Sequence, residues 1–180
     1  MSGHSKWSQI KHQKAATDAK KSKLFGKLGR GITIAARDKG GDPATNNSLR
    51  VAIEQARSFN MPMDSIERAV ARAKGGDNSS LQSFCYEAYG PGGVGIIITG
   101  VTDNNNRTSN EVKHLLSLHG GKWATPGSVV WSFTHANMSW EAKPYTEVSL
   151  SLVDHDALAR LIEILDDHDD VSDIFTNDAS

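Results

Sequence analysis

The sequence predicts an α+β protein, in which a basic helical domain precedes an acidic domain of strands and helices. The charge changes sign near Gly75, the hydrophobic period changes from helical to strand-like at the same point, and glycines separate the two patterns. The first 76 of the 180 residues carry 15 Lys and Arg against 6 Asp and Glu, whereas the remaining 104 carry 5 against 15. We therefore predict two domains, covering residues 1–76 and 77–180.

The first domain is predicted to be a three-helix-type bundle. Its first helix has an apolar stripe of Phe25, Leu28, Ile32 and Ala35, spaced by three and four residues. A second helix begins at about Ser48 and ends before Asn60, near a proline, and its predicted buried face is Leu49, Ala52, Ile53 and Ala56. In the third helix, Asp64 and Glu67 have the spacing of a capping box, and the glycines at 75 and 76 end it.

The second domain is predicted to be ferredoxin-like. Strands are expected at residues 86–89, 94–101, 128–134, 146–152 and 171–175. One helix opens with a capping box from Thr108 to Glu111, and a second helix has an apolar face of Leu158, Leu161, Ile162 and Leu165. From Val94 onward the order βαββαβ is the split βαβ plan, and an extra amino-terminal strand joins it through a hairpin at residues 90–93.

The composition is that of an ordinary globular protein, with 38% hydrophobic and 23% charged residues. The single Cys85 excludes an intrachain disulfide, fits a reducing compartment and is expected to be a small packed residue. The most apolar stretch, residues 94–101, is far shorter than the roughly 20 residues that span a bilayer. No targeting segment is visible, so we expect a cytoplasmic protein with no membrane contact.

Motifs that suggest catalysis or cofactors fail on their context. Gly90, Gly92 and Gly95 have the G-x-G-x-x-G spacing, but an apolar strand follows them, whereas a dinucleotide site requires a helix there. The closest downstream histidines, His114 and His119, lie about 140° apart on a helix and would not share a metal. We expect no enzymatic activity, no cofactor and no metal site.

Nucleic-acid phosphates are the partner that the basic segment suits best. Between Lys6 and Arg30 there are eight cations and one acid, Asp18. The predicted contacts are Lys6, Lys11, Lys14, Lys20, Lys21, Lys23, Lys27 and Arg30. Arg107 is a further candidate, with pairing to Asp103 as the structural alternative. The lysines could instead solvate a helix face, and for Trp7 packing is favoured over base stacking.

Two features of the acidic domain leave alternatives open. Four aspartates, Asp166, Asp167, Asp169 and Asp170, crowd the carboxyl end of a helix, where the macrodipole disfavours negative charge. They could repel a phosphate backbone and so orient the protein, bind a basic protein, or form a solvated turn. Trp131 and Phe133 share one face of a predicted central strand and could stack bases, although core packing is favoured because the RNA-recognition signature is missing.

Several motifs in order make the chain similar to the YebC/PmpR family. In the first domain these are GHSKW at 3–7, IKH at 10–12, KAA at 14–16, GDP at 41–43 and NMP at 60–62. In the second they are YGPGGV at 89–94, TDNNNRT at 102–108 and HGG at 119–121. The resemblance runs over nearly all of the chain.

This resemblance implies a non-enzymatic gene-expression factor. Family members are described as DNA-binding transcriptional regulators or as ribosome-associated translation factors, which ease ribosomes through consecutive prolines, and a mitochondrial branch activates translation of a cytochrome oxidase subunit. Members are usually longer, with a third domain between the strands that here end near Thr134 and begin near Tyr145. The sequence leaves open DNA or ribosomal RNA as the target, the oligomeric state, and an alternative in which the basic half docks on an acidic protein or ribosomal surface.

Overall fold

Three helices form the amino-terminal part of the computed structural model, which describes residues 18–75, 80–136 and 139–179. Helix α1 is described from Asp18 to Lys39, α2 spans Asn47–Ser58 and α3 spans Met63–Arg72. Their shared core is Ile32, Ala35, Ala36, Leu49, Ala52, Ala56, Met61, Ile66 and Ala69. Of the predicted stripe on α1, Ile32 and Ala35 lie in this core, and Phe25 and Leu28 pack against it. We refer to residues 18–75 as the helical region.

Side-chain caps at the helix starts differ from one helix to the next. The buried Asn46 caps α2, because its Oδ1 accepts from the Leu49 amide at 3.0 Å while its Nδ2 donates to the carbonyls of Ala35 and Gly40. Helix α3 instead starts after Pro62, in extended conformation, and has no side-chain cap. The predicted capping box at Asp64 is wrong, since the proline places this residue inside the first turn.

The rest of the described chain, the sheet region, holds strands and helices in alternation. In chain order these are β1 Gln82–Tyr89, β2 Gly95–Thr102, α4 Asn105–Leu118, β3 Lys122–Trp123, β4 Phe133–Ala136, β5 Ser139–Ala142, α5 Leu152–Asp166 and β6 Val171–Thr176. The main sheet has the order β3-β1-β2-β6 and is antiparallel throughout. The predicted α+β class is confirmed, as is the hairpin that joins the amino-terminal strand β1 to β2.

Apolar side chains cover both faces of this sheet. Helices α4 and α5 pack on one face, where the buried residues include Tyr86, Ile96, Ile98, Val112, Leu116, Leu158, Leu161 and Leu165. The β4–β5 hairpin contributes to a second cluster with Ile97, Val129, Phe133 and Phe175. Because neighbouring residues of β2 point to opposite faces, Ile96 and Ile97 serve different clusters.

Two predicted strands take other forms. Residues 128–132 form a turn that ends in a 3-10 segment, Val130–Ser132, and among the described strands the following β4 pairs with β5 alone. Residues 146–152 make one isolated bridge, between Val148 and Asp178. The reason is that both edges of β2 are already paired, with β1 along eight residues and with β6 on the other side.

The start of α4 lies three residues before the predicted capping box. Asn104 is the N-cap, and its Oδ1 accepts from the Arg107 amide at 3.1 Å. Thr108 is a buried residue of the first turn, and its hydroxyl lies 2.7 Å from that of Thr102. The capping prediction at Thr108 is wrong, because asparagine two positions after β2 caps the helix first.

Candidate nucleic-acid interface

The predicted nucleic-acid contacts on α1, which we name the basic stripe, divide into an exposed part and a covered part. Lys20 and Lys21 are exposed, whereas Lys23 and Arg30 are half-buried and Lys27 is only 6% exposed. Lys21 also lies over the ring of Phe25, at 5.8 Å from its centroid. The predicted contacts Lys6, Lys11 and Lys14, together with Trp7, lie outside the described residues.

The covered cations contact the turn that follows α5. We name residues 166–170 the acidic turn. The ammonium of Lys23 lies 3.3 Å from a carboxylate oxygen of Asp167 and 3.2 Å from one of Asp169. Lys27 donates to the backbone carbonyl of Asp166, and the guanidinium of Arg30 donates to that of Asp169. The structure therefore brings three of the predicted nucleic-acid contacts against the chain's own acidic residues.

This contact gives the aspartates a structural role at the end of α5. The last carbonyls of a helix lack intrahelical partners and carry the negative end of the helix dipole. Three cations from α1, Lys23, Lys27 and Arg30, face that end of α5, and each donates directly to a backbone carbonyl of the acidic turn. The unfavourable placement of negative charge, noted from the sequence, is thus offset by cations from the other region.

The charge state of Lys23 reflects the same contact. Burial lowers the pKa of this ammonium, but the hydrogen bonds to Asp169 and Asp167 raise it, and the pKa lies above the ordinary lysine value. Lys23 thus remains protonated wherever an ordinary lysine does.

Arg107 lies at the other side of the acidic turn. Its Nη2 is 2.8 Å from Asp103 Oδ1 and 2.9 Å from Asp170 Oδ2. The buried Asp170 also accepts from the Thr108 hydroxyl at 2.7 Å. Burial raises the pKa of Asp170, whereas the hydrogen bonds from Thr108, Arg107 and Thr102 lower it below the ordinary value. The structural alternative for Arg107, pairing with Asp103, is therefore present.

Trp131 and Phe133 are separated rather than aligned on a central strand. Phe133 is 3% exposed and belongs to the core, whereas Trp131 lies in the 3-10 turn and is 61% exposed. The indole N–H of Trp131 donates to the Ser128 carbonyl at 2.8 Å. The prediction of core packing is thus confirmed for Phe133 and wrong for Trp131.

Glu87 is an organising residue that the sequence analysis missed. Its buried carboxylate accepts from the amides of Gly127, Val129 and Val130, at 2.6 to 2.8 Å. Burial raises the pKa of Glu87, but these three hydrogen bonds lower it below the ordinary value. The sequence signal is a charged residue between Tyr86 and Ala88 in the apolar part of β1, which does not identify the loop that it holds.

The glycines of the G-x-G-x-x-G spacing serve the β1–β2 turn. Gly92 has φ of +70°, and a Cβ there would lie 2.3 Å from a methyl group of Leu150. Gly95 begins β2, and a Cβ there would lie 2.9 Å from Val129. Close packing and a left-handed turn account for these glycines.

A cleft of about 390 Å³ separates α1 and α2 from the sheet. Leu24, Leu28 and Trp140 supply apolar walls. Cys85, predicted to be packed, lines the cleft and is exposed. Protein atoms nevertheless surround much of its sulfur, and this burial, with the charge of Glu87, raises the pKa of the thiol.

Two further properties concern only the described parts of the chain. There, no group of three or more His, Cys, Asp or Glu side chains is arranged to hold a metal ion. Among the helices of the same residues, none is both long enough and apolar enough to cross a bilayer.

Comparison with protein families gives two matches that follow each other along the chain. Residues 5–76 match the TACO1/YebC protein N-terminal domain, and residues 81–139 match the TACO1/YebC second and third domain. A "Probable transcriptional regulatory protein" of Petrotoga mobilis is 46% identical over 181 residues, which cover 98% of this chain and 70% of the relative. The relative of that name in Kosmotoga olearia is 53% identical over 134 residues.

The compared proteins differ in how much of their length is matched. The alignment with the Kosmotoga relative covers 74% of this chain and 53% of that protein, so the chain spans about half the length of such relatives. Among solved structures, a conserved hypothetical protein from Aquifex aeolicus is similar, with a TM-score of 0.80 and 29% identity. That similarity covers 95% of each chain.

Proposed function

The chain belongs to the TACO1/YebC family, and from this membership we propose that it is a non-enzymatic regulator of gene expression that binds nucleic-acid phosphates through its helical region and the basic residues that precede it. The names of the relatives from Petrotoga and Kosmotoga support a regulatory role. The observation that carries the binding proposal is the charge of the helical region, where residues 18–75 hold 12 Lys and Arg against 6 Asp and Glu. Such an excess attracts a polyanion by counterion release.

The exposed start of the basic stripe is the part available for a partner without rearrangement. Lys20 and Lys21 are exposed, and the sequence places Lys6, Lys11 and Lys14 before them. Contact through these five cations would give a salt dependence with a log–log slope of about −3.5 to −4.5. If nucleic acid also displaced the acidic turn and engaged Lys23, Lys27 and Arg30, the slope would steepen to about −5.5 to −7.

A salt titration with matched charge variants tests this proposal. Binding of labelled duplex DNA and of structured RNA is measured by fluorescence anisotropy across a series of salt concentrations. Lys20→Glu should weaken binding and make the slope shallower by about one unit. Arg160→Glu, which makes the same charge change at an exposed position on α5, should leave both nearly unchanged. Salt-insensitive binding, or equal effects of the two variants, would contradict the proposal.

The physiological target is proposed to be promoter DNA, ribosomal RNA, or both. Phosphate contacts carry no base specificity, so the helical region supports either choice. Crosslinking in cells, followed by sequencing of the DNA and RNA recovered with the protein, separates them. Discrete ribosomal RNA sites would support a translation factor that relieves stalling at proline-rich stretches. Reproducible promoter peaks without ribosomal RNA would support a transcriptional regulator.

One observation favours a second candidate, a protein-interaction module. The basic stripe already contacts protein carboxylates and carbonyls, at Asp166, Asp167 and Asp169. A similar acidic surface on a ribosomal or regulatory protein could be its partner. Under this alternative, Lys20→Glu would abolish a protein association recovered from cells while purified RNA and DNA bound with unchanged affinity.

A further inference from the structure

Two exposed aromatic side chains share one hydrogen-bond acceptor at the end of β1. The hydroxyl of Tyr89 donates to the Ser128 carbonyl at 2.7 Å, and the indole N–H of Trp131 donates to the same oxygen at 2.8 Å. Trp131 is 61% exposed and Tyr89 is 37% exposed. Their polar atoms are therefore used within the protein, while much of the ring surface faces solvent.

Hydrogen bonds within the protein hold the loop at residues 125–131, which carries Trp131 and the shared acceptor Ser128. The carboxylate of Glu87 accepts from the amides of Gly127, Val129 and Val130, on both sides of Ser128. The Ser128 hydroxyl also donates to the Thr125 carbonyl, which closes the turn. Because this loop is bound at several points, the two rings keep their positions without a partner, and a ligand would lose little entropy in using them.

Cations lie beside the rings although the sheet region as a whole is acidic. Lys122 of β3 is paired directly opposite Tyr89, so their side chains share one face of the sheet. Lys143 donates to the Trp131 carbonyl at 2.6 Å and retains two further N–H donors. Two of the five cations of residues 77–180 thus lie beside these two rings.

We propose that Tyr89, Lys122, Trp131 and Lys143 form an aromatic–lysine surface that binds unpaired nucleotides of single-stranded nucleic acid. Exposed rings offer faces on which bases stack, and the flanking ammonium groups contact the backbone phosphates. The combination argues for this ligand, since an acidic protein would use the lysines without the ring faces, and an apolar protein would have no use for the lysines. The inference takes its partner class from the proposed function but depends on different residues.

The test compares single-stranded and duplex ligands with the full chain. Affinities for labelled oligo-U, oligo-dT and a duplex of equal length are measured for the wild type and for Trp131→Ala. Loss of one stacking ring should weaken single-strand binding about 5- to 150-fold and leave duplex binding nearly unchanged. Leu118→Ala, which removes an apolar side chain of similar exposure that has no ring, should behave as the wild type. Tighter binding of oligo-U than of oligo-dT would identify RNA, rather than DNA, as the single strand that this surface binds.

Two further variants test the same inference if Trp131→Ala does not fold. Lys122→Glu, at an exposed edge position, should weaken single-strand binding more than duplex binding, and Trp131→Phe should remove the part of the fluorescence that oligo-U quenches. Unchanged single-strand affinity in Lys122→Glu, or oligo-U quenching that persists in Trp131→Phe, would overturn the inference, and if Lys20→Glu still weakened binding the proposed function would stand. A change in self-association by Trp131→Ala, without any change in oligonucleotide affinity, would also overturn it. Absence of any nucleic-acid binding by the wild type would overturn both proposals.

Discussion

Lys27 of helix α1 donates to the backbone carbonyl of Asp166 at the end of helix α5, and this contact joins the helical region to the sheet region. The lysine is 6% exposed, which is unusual for its residue type unless the charge has a partner. Lys23 and Arg30 make neighbouring contacts to Asp167 and Asp169. A positively charged helix face is therefore, in part, a connection between two regions of one chain.

Lys27→Met should lower the free energy of unfolding by about 1 to 3 kcal/mol, because it keeps the apolar stem but leaves a partly buried carbonyl without its donor. Urea unfolding followed by circular dichroism measures the change. Lys20→Met, at an exposed position of the same helix, should change stability by no more than about 0.5 kcal/mol. Equal losses in the two variants would show that the contact with Asp166 contributes nothing.

The double variant Asp167→Asn/Asp169→Asn should cost less than Lys27→Met. Both carboxylates are mostly exposed, at 77% and 74%, and an exposed ion pair contributes about 0 to 1 kcal/mol. The backbone carbonyls that accept from Lys23 and Arg30 remain in this variant. The loss should be detectable in low salt and should vanish in high salt, where exposed charges are screened. A larger loss that persists in high salt would contradict this account.

Glu87→Gln should destabilise the protein at neutral pH and much less in acid. The folded state lowers the pKa of Glu87, so the carboxylate stabilises the fold at pH values above the ordinary glutamate pKa, about 4.3. This contribution is lost as the pH falls through the lower, folded-state pKa. Unfolding free energies measured across this pH range should converge for the variant and the wild type. Glu141→Gln, at an exposed position of β5, serves as the control and should show no such convergence.

Arg107→Ala should lower the melting temperature while leaving nucleic-acid affinity nearly unchanged. The guanidinium already pairs with Asp103 and Asp170, and its removal takes a partner from the buried Asp170 carboxylate. Thermal unfolding and an anisotropy titration on the same samples distinguish the two effects. A marked loss of affinity without a loss of thermal stability would instead support the contact to phosphate.

Cys85 should react slowly with a disulfide reagent at neutral pH, since burial and the charge of Glu87 raise its pKa and reduce the thiolate fraction. The chain has one cysteine, so the release of the coloured thiol reports this residue alone. The rate should rise with pH beyond the ordinary thiol pKa of about 8.5. Glu87→Gln should accelerate the reaction at neutral pH, and a slower rate in that variant would contradict the electrostatic explanation.

Local patterns predicted most of the helices and the central hairpin. In α2 the spacing of Leu49, Ala52 and Ala56 identified the buried face, because a single helix period determines it. The stretch at residues 146–152 alternates in the manner of a strand, but no sheet edge was left beside β2 to pair with it. Hydrophobic periodicity indicates which side of a segment is apolar. The pairing of strands depends instead on competition among segments that are distant in sequence.

The candidate site was less predictable for the same physical reason. The lysines of α1 and the aspartates after α5 were each noticed, yet nothing local indicates that Lys23 and Asp167, 144 positions apart, lie together. Trp131 and Tyr89 are also distant in sequence, and their shared acceptor, Ser128, has no motif of its own. Charge counts predict that a surface attracts anions without indicating whether those anions belong to the same chain.

The contact between Lys27 and Asp166 decides whether a fragment of the chain can stand for the whole protein in a binding experiment. A truncated fragment that ended after α3 would lack the acidic turn, so that the groups of Lys23, Lys27 and Arg30 that contact this turn would face the solvent. Gel-shift experiments with such a fragment would overstate the avidity of the natural molecule for any polyanion, heparin included. Deletion mapping, the customary route to a minimal binding fragment, would therefore report an affinity that the truncation itself has increased.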